Sequence, residues 1–400
     1  LTKKRDAETY VNSIEAPVYQ SASYYFDNAD HVKAGLHELS TPAGRYGRYS
    51  NPTWLEVEAR LSELSEAESS LLFSSGMAAH FTTFLALLKA GDEVVLPAES
   101  YRQVRNVFHS ILPKFGVVVH EVSIRDPAAF LDGIRALAPR LRLVHLEMPS
   151  SPHMYLIDVA RVREIVGPDV VITLDSSFSP PPNFYALRWG VDLALFSATK
   201  YLGGHGDIVS GVLSGRADLV DQVRWYRDTT GPVTDGNTAF LLRRSLYTLP
   251  LRMERVNALG LAVARYLDDH PAVRRVYYTG LDSHPHYQLG KTYLAGHGGV
   301  ITFELGLSEA ETAAVVDRLK VPFMASNFGA PHTLVEQSTF FTYFEYDDAG
   351  LESIGVDRST IRLALGYVND ADEIISDLAA ALPAEAGGDI PEPLAGEAAP

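Results

Sequence analysis

The chain contains no cysteine. Disulfides, zinc–thiolate sites and a cysteine nucleophile are therefore excluded. Long apolar runs are missing too: none approaches the roughly 20 residues a membrane-crossing helix needs. Positive charge is scarce, with 34 Lys plus Arg against 50 Asp plus Glu and a formal charge of −16. That balance argues against a nucleic-acid or anionic-membrane surface. The pairs Arg243-Arg244 and Arg274-Arg275 are too small to reverse it. The start, Leu1-Thr2-Lys3-Lys4-Arg5, is basic but has no apolar core behind it, unlike a signal peptide. A cytoplasmic protein is expected. At 400 residues and 46% hydrophobic, two globular domains are the default.

Residues 1–52 are rich in tyrosine and poor in helical pattern, and end at the Asn51-Pro52 turn signal. A helix is expected over 53–66, with Leu55, Ala59 and Ser62 on one face. Strands and helices then alternate. Strands are expected at 70–73, 93–96, 116–122, 141–147, 170–175 and 192–196, and helices at 77–89, 101–112, 127–137 and 159–166. This alternation predicts an α/β fold: a mostly parallel sheet with helices on both faces, binding ligands beyond the carboxyl ends of its strands. A long helical pattern over 236–268 leads to a smaller α+β unit, with strands at 300–305 and 360–365 and helices at 309–319 and 370–382. The expected division is an arm over 1–52, a large domain over 53–248, a small domain over 249–383 and a disordered tail over 384–400.

The polar residues at strand ends form a pattern. Asp192 to Phe196 is an apolar run that ends in Ser197-Ala198-Thr199-Lys200, followed by Gly203-Gly204. Two hydroxyls could hold a phosphate while the lysine reaches a carbonyl carbon; desolvation would make its amine nucleophilic. A lone motif of this kind is more often a surface turn. Here Asp175 ends another apolar run and could pair with a pyridine nitrogen, although a turn aspartate is the simpler reading. Ser75-Gly76-Met77 opens a helix whose free amides favour an anion. Tyr101 follows a strand and could stack on an aromatic ring; alone it would be a core tyrosine. Arg362 lies inside an apolar strand and needs a carboxylate ligand or an internal ion pair. His284-Pro285-His286 suggests metal, but two histidines in a proline turn read better as surface residues.

Together these stretches resemble the pyridoxal-phosphate enzymes of cysteine and methionine metabolism, the cystathionine γ-synthase, cystathionine γ-lyase and methionine γ-lyase family. The resemblance spans about residues 9–382. It is carried by Pro17 to Tyr24, by Tyr46-Gly47-Arg48-Tyr49-Ser50-Asn51-Pro52-Thr53, by Ser75-Gly76-Met77-Ala78-Ala79, by Asp175, and by Ser197-Ala198-Thr199-Lys200-Tyr201 through Asp207. It implies a fold-type I enzyme with pyridoxal 5′-phosphate on Lys200, and Ser75, Gly76, Met77, Ser197 and Thr199 at the phosphate. Asp175 would be at the ring nitrogen and Tyr101 over the ring as a catalytic acid. Arg362, Ser326, Ser151 and Arg102 would be around the substrate. Tyr46 and Arg48 would reach the phosphate of a neighbouring subunit, making the active unit a homodimer or homotetramer.

The chain departs from the family pattern at Ser151, where an asparagine usually faces the ring hydroxyl. It departs again at Ser176-Ser177 after Asp175, at Arg102-Gln103 after Tyr101, and at Ser326-Asn327-Phe328-Gly329. The implied reaction is γ-elimination or γ-replacement on an L-amino acid, either a sulfur amino acid or an activated homoserine. A specialised enzyme expelling a non-sulfur group such as halide is the alternative, motivated by these departures together; Arg102 would put a cation near Cγ unless it turns to solvent, the more common fate of an arginine. A paralogue that binds cofactor without catalysis is a third reading, opposed by the presence of Lys200, Asp175, Tyr101 and Arg362.

Overall fold

The computed structural model describes residues 14–30, 32–33 and 46–385. The expected disordered tail falls outside them, apart from residues 384 and 385, as does much of the expected arm.

A seven-stranded sheet organises the first part of the chain. Its strands are β1 (Ser69–Phe73), β2 (Glu93–Pro97), β3 (Val118–Val122), β4 (Leu141–Glu147), β5 (Val171–Asp175), β6 (Leu193–Ser197) and β7 (Gly211–Gly215), in the order β1-β7-β6-β5-β4-β2-β3. Only β7 runs antiparallel to its neighbours, β1 and β6. The sequence did not mark β7, a five-residue run bounded by glycines. Alternate side chains of each strand enter two different cores. Ile172, Leu174, Ala194 and Phe196 pack with Trp54, Phe130 and Val162 on one face. Val171, Leu193 and Leu195 pack with Phe84, Phe108 and Val220 on the other. Burial on both faces explains why the strands read as continuous apolar runs. Each fully buried Leu or Ile contributes about 2 kcal/mol.

The helix expected at 53–66 is Pro52–Ser65. Asn51 caps it by accepting the Thr53 N–H at 2.8 Å, and Glu66 ends it in the left-handed region. Its buried face is Trp54, Val57, Glu58 and Leu61, not the face through Leu55 and Ala59. Glu58 masked the pattern. It is buried because Arg227 donates to it at 2.7 Å, and it also accepts the Leu72 N–H of β1 at 2.9 Å.

The helix expected over 101–112 is α-helical only at Arg102–Asn106; a π-helical turn (Val107–Ile111) and a 3-10 turn (Leu112–Phe115) follow. The pattern over 236–268 is two helices, Gly236–Tyr247 and Leu249–Asp268, because Pro250 lacks the N–H to continue the first. The helix Ala217–Thr230 had not been expected.

A second sheet comprises β8 (Arg275–Tyr277), β9 (Val300–Glu304), β10 (Phe323–Met324), β11 (Leu334–Gln337) and β12 (Thr360–Ala364), ordered β10-β11-β12-β9-β8. It has its own core, where Ile301, Phe303, Ile361 and Leu363 meet Ile374 and Leu378. Helix Leu249–Asp268 joins both units: Leu249, Met253 and Val256 pack in the first core, and Leu259, Val263 and Leu267 in the second.

His284 and His286 are buried, contrary to the surface position expected of them. His284 bonds the His153 carbonyl at 3.0 Å through Nε2 and accepts the His286 N–H at 3.1 Å through Nδ1. They are neutral core histidines, and burial brings His284 down to about 4. No helix among the described residues is long and apolar enough to cross a membrane.

Candidate active site

The carboxyl ends of the parallel strands converge on one cavity of about 290 Å³. After β1, Ser75 caps the helix Gly76–Leu87 by accepting the Ala78 N–H at 3.0 Å. Gly76 is needed for closeness: an added Cβ would stand 3.0 Å from the Cβ of Ser197. Gly211 is more constrained, since its Cβ would lie 2.1 Å from the Ser75 carbonyl oxygen. The helix's first-turn amides, Ser197 and Thr199 therefore meet at one end of the cavity, a donor set suited to a phosphate.

β6 delivers Lys200. A tight turn follows it, with the Gly203 N–H donating to the Ala198 carbonyl at 2.8 Å and the Gly204 N–H to that of Lys200. Buried Arg252 fixes this turn by donating to the Tyr201 carbonyl at 2.6 Å. Lys200 Nζ donates to Asn327 and stands 4.8 Å from the Phe328 ring centre. Burial, followed by the charge of Arg362, lowers its ammonium to about 8, against the pull of Glu336 and Asp175.

The ends of β4 and β5 are in register, placing Glu147 beside Asp175. Burial pushes Asp175 up, but His80 and the Ser177 N–H outweigh it, and the carboxyl lies below its ordinary value. His80 Nε2 is 3.1 Å from Asp175 Oδ2, and the Ser177 N–H donates to Oδ1 at 2.8 Å. Glu147 goes the other way. Burial first, then the Asp175 charge, raise it to about 8. One of its oxygens accepts the Tyr101 N–H at 2.5 Å, and the other is buried with no hydrogen-bond partner. Tyr101 itself is half exposed, and burial of its hydroxyl raises its pKa, so the phenol holds its proton.

Arg362, on β12, enters from the second sheet. Its guanidinium makes a 3.1 Å ion pair with buried Glu336 and lies 3.5 Å from Ser326. The internal ion pair is present, and Arg362 lines the cavity as well. A guanidinium has five N–H donors, so the pair leaves capacity for a ligand carboxylate.

Lys200, Asp175, Tyr101, Ser75, Gly76, Met77, Ser197, Thr199, Ser151, Ser326, Arg102 and Arg362 all line this cavity. Tyr46 and Arg48 do not. They line a separate concavity with Gln20, Asn51 and Trp54, where Arg48 donates to the Asp228 carbonyl. Arg102 is not a free cation: it pairs with Glu345 at 2.7 Å and lies over the Phe344 ring. His80 and Tyr343 were not singled out from the sequence, and Phe328 was noted only within the Ser326-Asn327-Phe328-Gly329 departure. His80 had one signal, its position four residues after Gly76, on the same helix face. Phe328 stacks on Phe178 at 4.2 Å and walls the cavity beside Lys200.

The cavity thus offers an amine that can be neutral, a buried carboxylate, a half-exposed phenol and an anion cradle. An aldehyde bearing a pyridine ring and a phosphate fits that set. A family model described as "Cys/Met metabolism PLP-dependent enzyme" matches residues 1–383. The chain belongs to this family and is a pyridoxal-phosphate-dependent lyase or transferase. It is 35% identical over 375 residues to cystathionine gamma-synthase 1, chloroplastic, of Nicotiana tabacum, covering 93% of this chain and 68% of that protein. It is 32% identical to L-methionine gamma-lyase of Fusobacterium nucleatum, covering 92% of each. Among solved structures, cystathionine gamma synthase from Xanthomonas oryzae pv. oryzae superposes with a TM-score of 0.86 at 28% identity, covering 93% of this chain and 94% of that one. These names describe γ-elimination and γ-replacement, and that is the chemistry of this enzyme.

Proposed function

We propose that the substrate is a sulfur amino acid or an activated homoserine, processed at the cavity around Lys200. The observation that carries this reading is the meeting of a buried amine brought down to about 8 with Tyr101, Asp175 and Arg362 in one cavity. When bound, pyridoxal phosphate supplies an aldehyde carbon for the substrate amine and a ring that draws electrons from Cα. Asp175, ionised and fixed by the Ser177 N–H, holds the proton of the ring nitrogen. Ser75, the amides of Gly76 and Met77, Ser197 and Thr199 hold the phosphate. Arg362 binds the substrate carboxylate, and Glu336 orients its guanidinium. Lys200 removes the proton at Cα and acts again at Cβ, as an amine near its titration point can. Tyr101 donates its proton to the group leaving Cγ. Phe178 and Phe328 keep water from one side of Lys200.

The halide reading rested on the departures at Ser151, Ser176-Ser177, Arg102-Gln103 and Ser326 to Gly329, and the pairing of Arg102 with Glu345 weakens the Arg102 part of it. A panel of cystathionine, methionine, O-acylated homoserines and γ-halogenated amino acids tests the proposal. Fastest turnover is expected with a sulfur or acylated substrate, and fastest turnover of a halogenated one contradicts it.

We propose further that two copies complete each other's sites through Tyr46 and Arg48, in a cytoplasmic homodimer or dimer of dimers. The chain divides near residue 249 into a large and a small domain behind an arm reaching to residue 52. Separate sheets with separate cores support that division.

A further inference from the structure

Beneath Asp175 lies a buried histidine, His80. His80 is 2% exposed, on the first turns of the helix that also presents Ser75 and Gly76. Its Nδ1 is 2.8 Å from the Gly76 carbonyl oxygen. A carbonyl only accepts, so Nδ1 carries a hydrogen. The other nitrogen faces Asp175 Oδ2 at 3.1 Å. A bare nitrogen lone pair there would repel a carboxylate, so a second proton lies between them. The Ser177 N–H on Oδ1 favours leaving the negative charge on Asp175 and the proton on His80. Coulomb attraction across this 3.1 Å approach holds the pair, and Oδ2, with two lone pairs, can still accept from another donor.

The other groups around His80 do not supply this charge. His145 meets its ring edge-on at 5.4 Å and is held neutral, its pKa brought down to about 3 by burial and then by the charge of His80. Phe84 is apolar and 6.1 Å away. Glu147 ends the neighbouring strand beside Asp175 and adds a second carboxyl there. Without His80, Asp175 and Glu147 would be two adjacent buried carboxyls that had lost the cation 3.1 Å from Asp175. Asp175 would then tend to take up a proton itself, and a protonated acid cannot hold a protonated pyridine.

We propose that His80 is a positioning residue: a doubly protonated imidazolium that keeps Asp175 ionised and aimed at the ring nitrogen of the cofactor. The inference rests on the reading of this cavity as the pyridoxal-phosphate site. His80 borders the cavity behind Asp175 and acts through that carboxylate.

The test is binding of two probes to the cofactor-stripped protein: pyridoxal 5′-phosphate and its 1-deaza analogue, in which a C–H replaces the ring nitrogen. The parent should bind pyridoxal phosphate more tightly than the analogue. His80→Phe suits the surrounding aromatic cluster and should weaken pyridoxal phosphate by about tenfold or more, since one unit of carboxylate pKa corresponds to a factor of ten. It should leave the analogue within about twofold. His80→Gln, with a neutral donor, should fall between parent and Phe. Equal weakening of both probes, or an unchanged ratio, overturns the inference and makes His80 a packing residue. A parent that binds pyridoxal phosphate without preferring it over the analogue overturns the role of Asp175, and the inference with it. A parent that binds neither overturns the cavity reading and the inference together. Should both variants misfold, ¹⁵N spectra of histidine-labelled parent decide. Two protonated ring nitrogens on His80 at pH 8 support the proposal, and one contradicts it.

Discussion

Glu147 and Asp175 end adjacent strands, yet their surroundings drive them apart in acidity. Glu147 is raised to about 8 in the folded chain, whereas an unfolded glutamate titrates near 4.5. Between those values the folded state retains a proton that the unfolded state has released. Its contribution to stability is therefore complete below about pH 4.5 and is lost as pH rises through about 8. One proton corresponds to a slope of at most about 1.4 kcal/mol per pH unit. Glu147→Gln should flatten the stability profile between pH 5.5 and 8 in urea unfolding of the cofactor-free protein. Parallel profiles for parent and variant would show that Glu147 is ionised in the fold. Asp175 carries the opposite expectation. Asp175→Asn should still bind cofactor, because the phosphate cradle and Lys200 remain, but exchange of the substrate Cα proton should fall by a factor of about 100 or more. Normal exchange, followed by NMR in D₂O, would place the essential carboxylate elsewhere.

Elements meet at this site with little slack. The start of β7 runs so close to the Ser75 turn that Gly211→Ala would set a methyl 2.1 Å from a carbonyl oxygen. Backbone must move, at a cost of about 1–3 kcal/mol. We expect a lower melting temperature together with weaker phosphate binding, because the Ser75–Met77 turn is what moves. An unchanged affinity for inorganic phosphate would separate the turn from the phosphate site. Much of this arrangement was legible in the sequence, because three of the parallel strands, β4, β5 and β6, run up to a chemically distinctive end: Glu147, Asp175 and the Ser197 to Lys200 run. What could not be read came from side chains whose partners are remote in sequence. Glu58 is buried because of Arg227, 169 residues away. Arg102 could be read as a pocket cation or a solvent-facing one, and its partner Glu345 lies 243 residues away. His80 and Phe328 belong to an apolar helix and a short loop, where local pattern gives no sign that a carboxylate or a lysine lies opposite.

For the whole molecule, the position of Tyr46 and Arg48 outside the Lys200 cavity sets the question of assembly. If two copies share sites, mixing inactive Arg48→Ala and Lys200→Ala proteins should restore activity, since one site in each hybrid carries neither lesion. Random exchange makes half of the dimers hybrids with one intact site of two, so recovery should approach about a quarter of parental activity. No recovery despite demonstrated subunit exchange would assign both residues to their own chain.

The central claim is that the cavity at the strand ends holds pyridoxal phosphate on Lys200. Reduction of the cofactor-loaded protein with borohydride, followed by peptide mapping, tests it most directly. The account predicts the pyridoxyl group on the peptide containing Ser197-Ala198-Thr199-Lys200 and on no other. A label on Lys89, Lys114, Lys291 or any other lysine, or none at all, would contradict it.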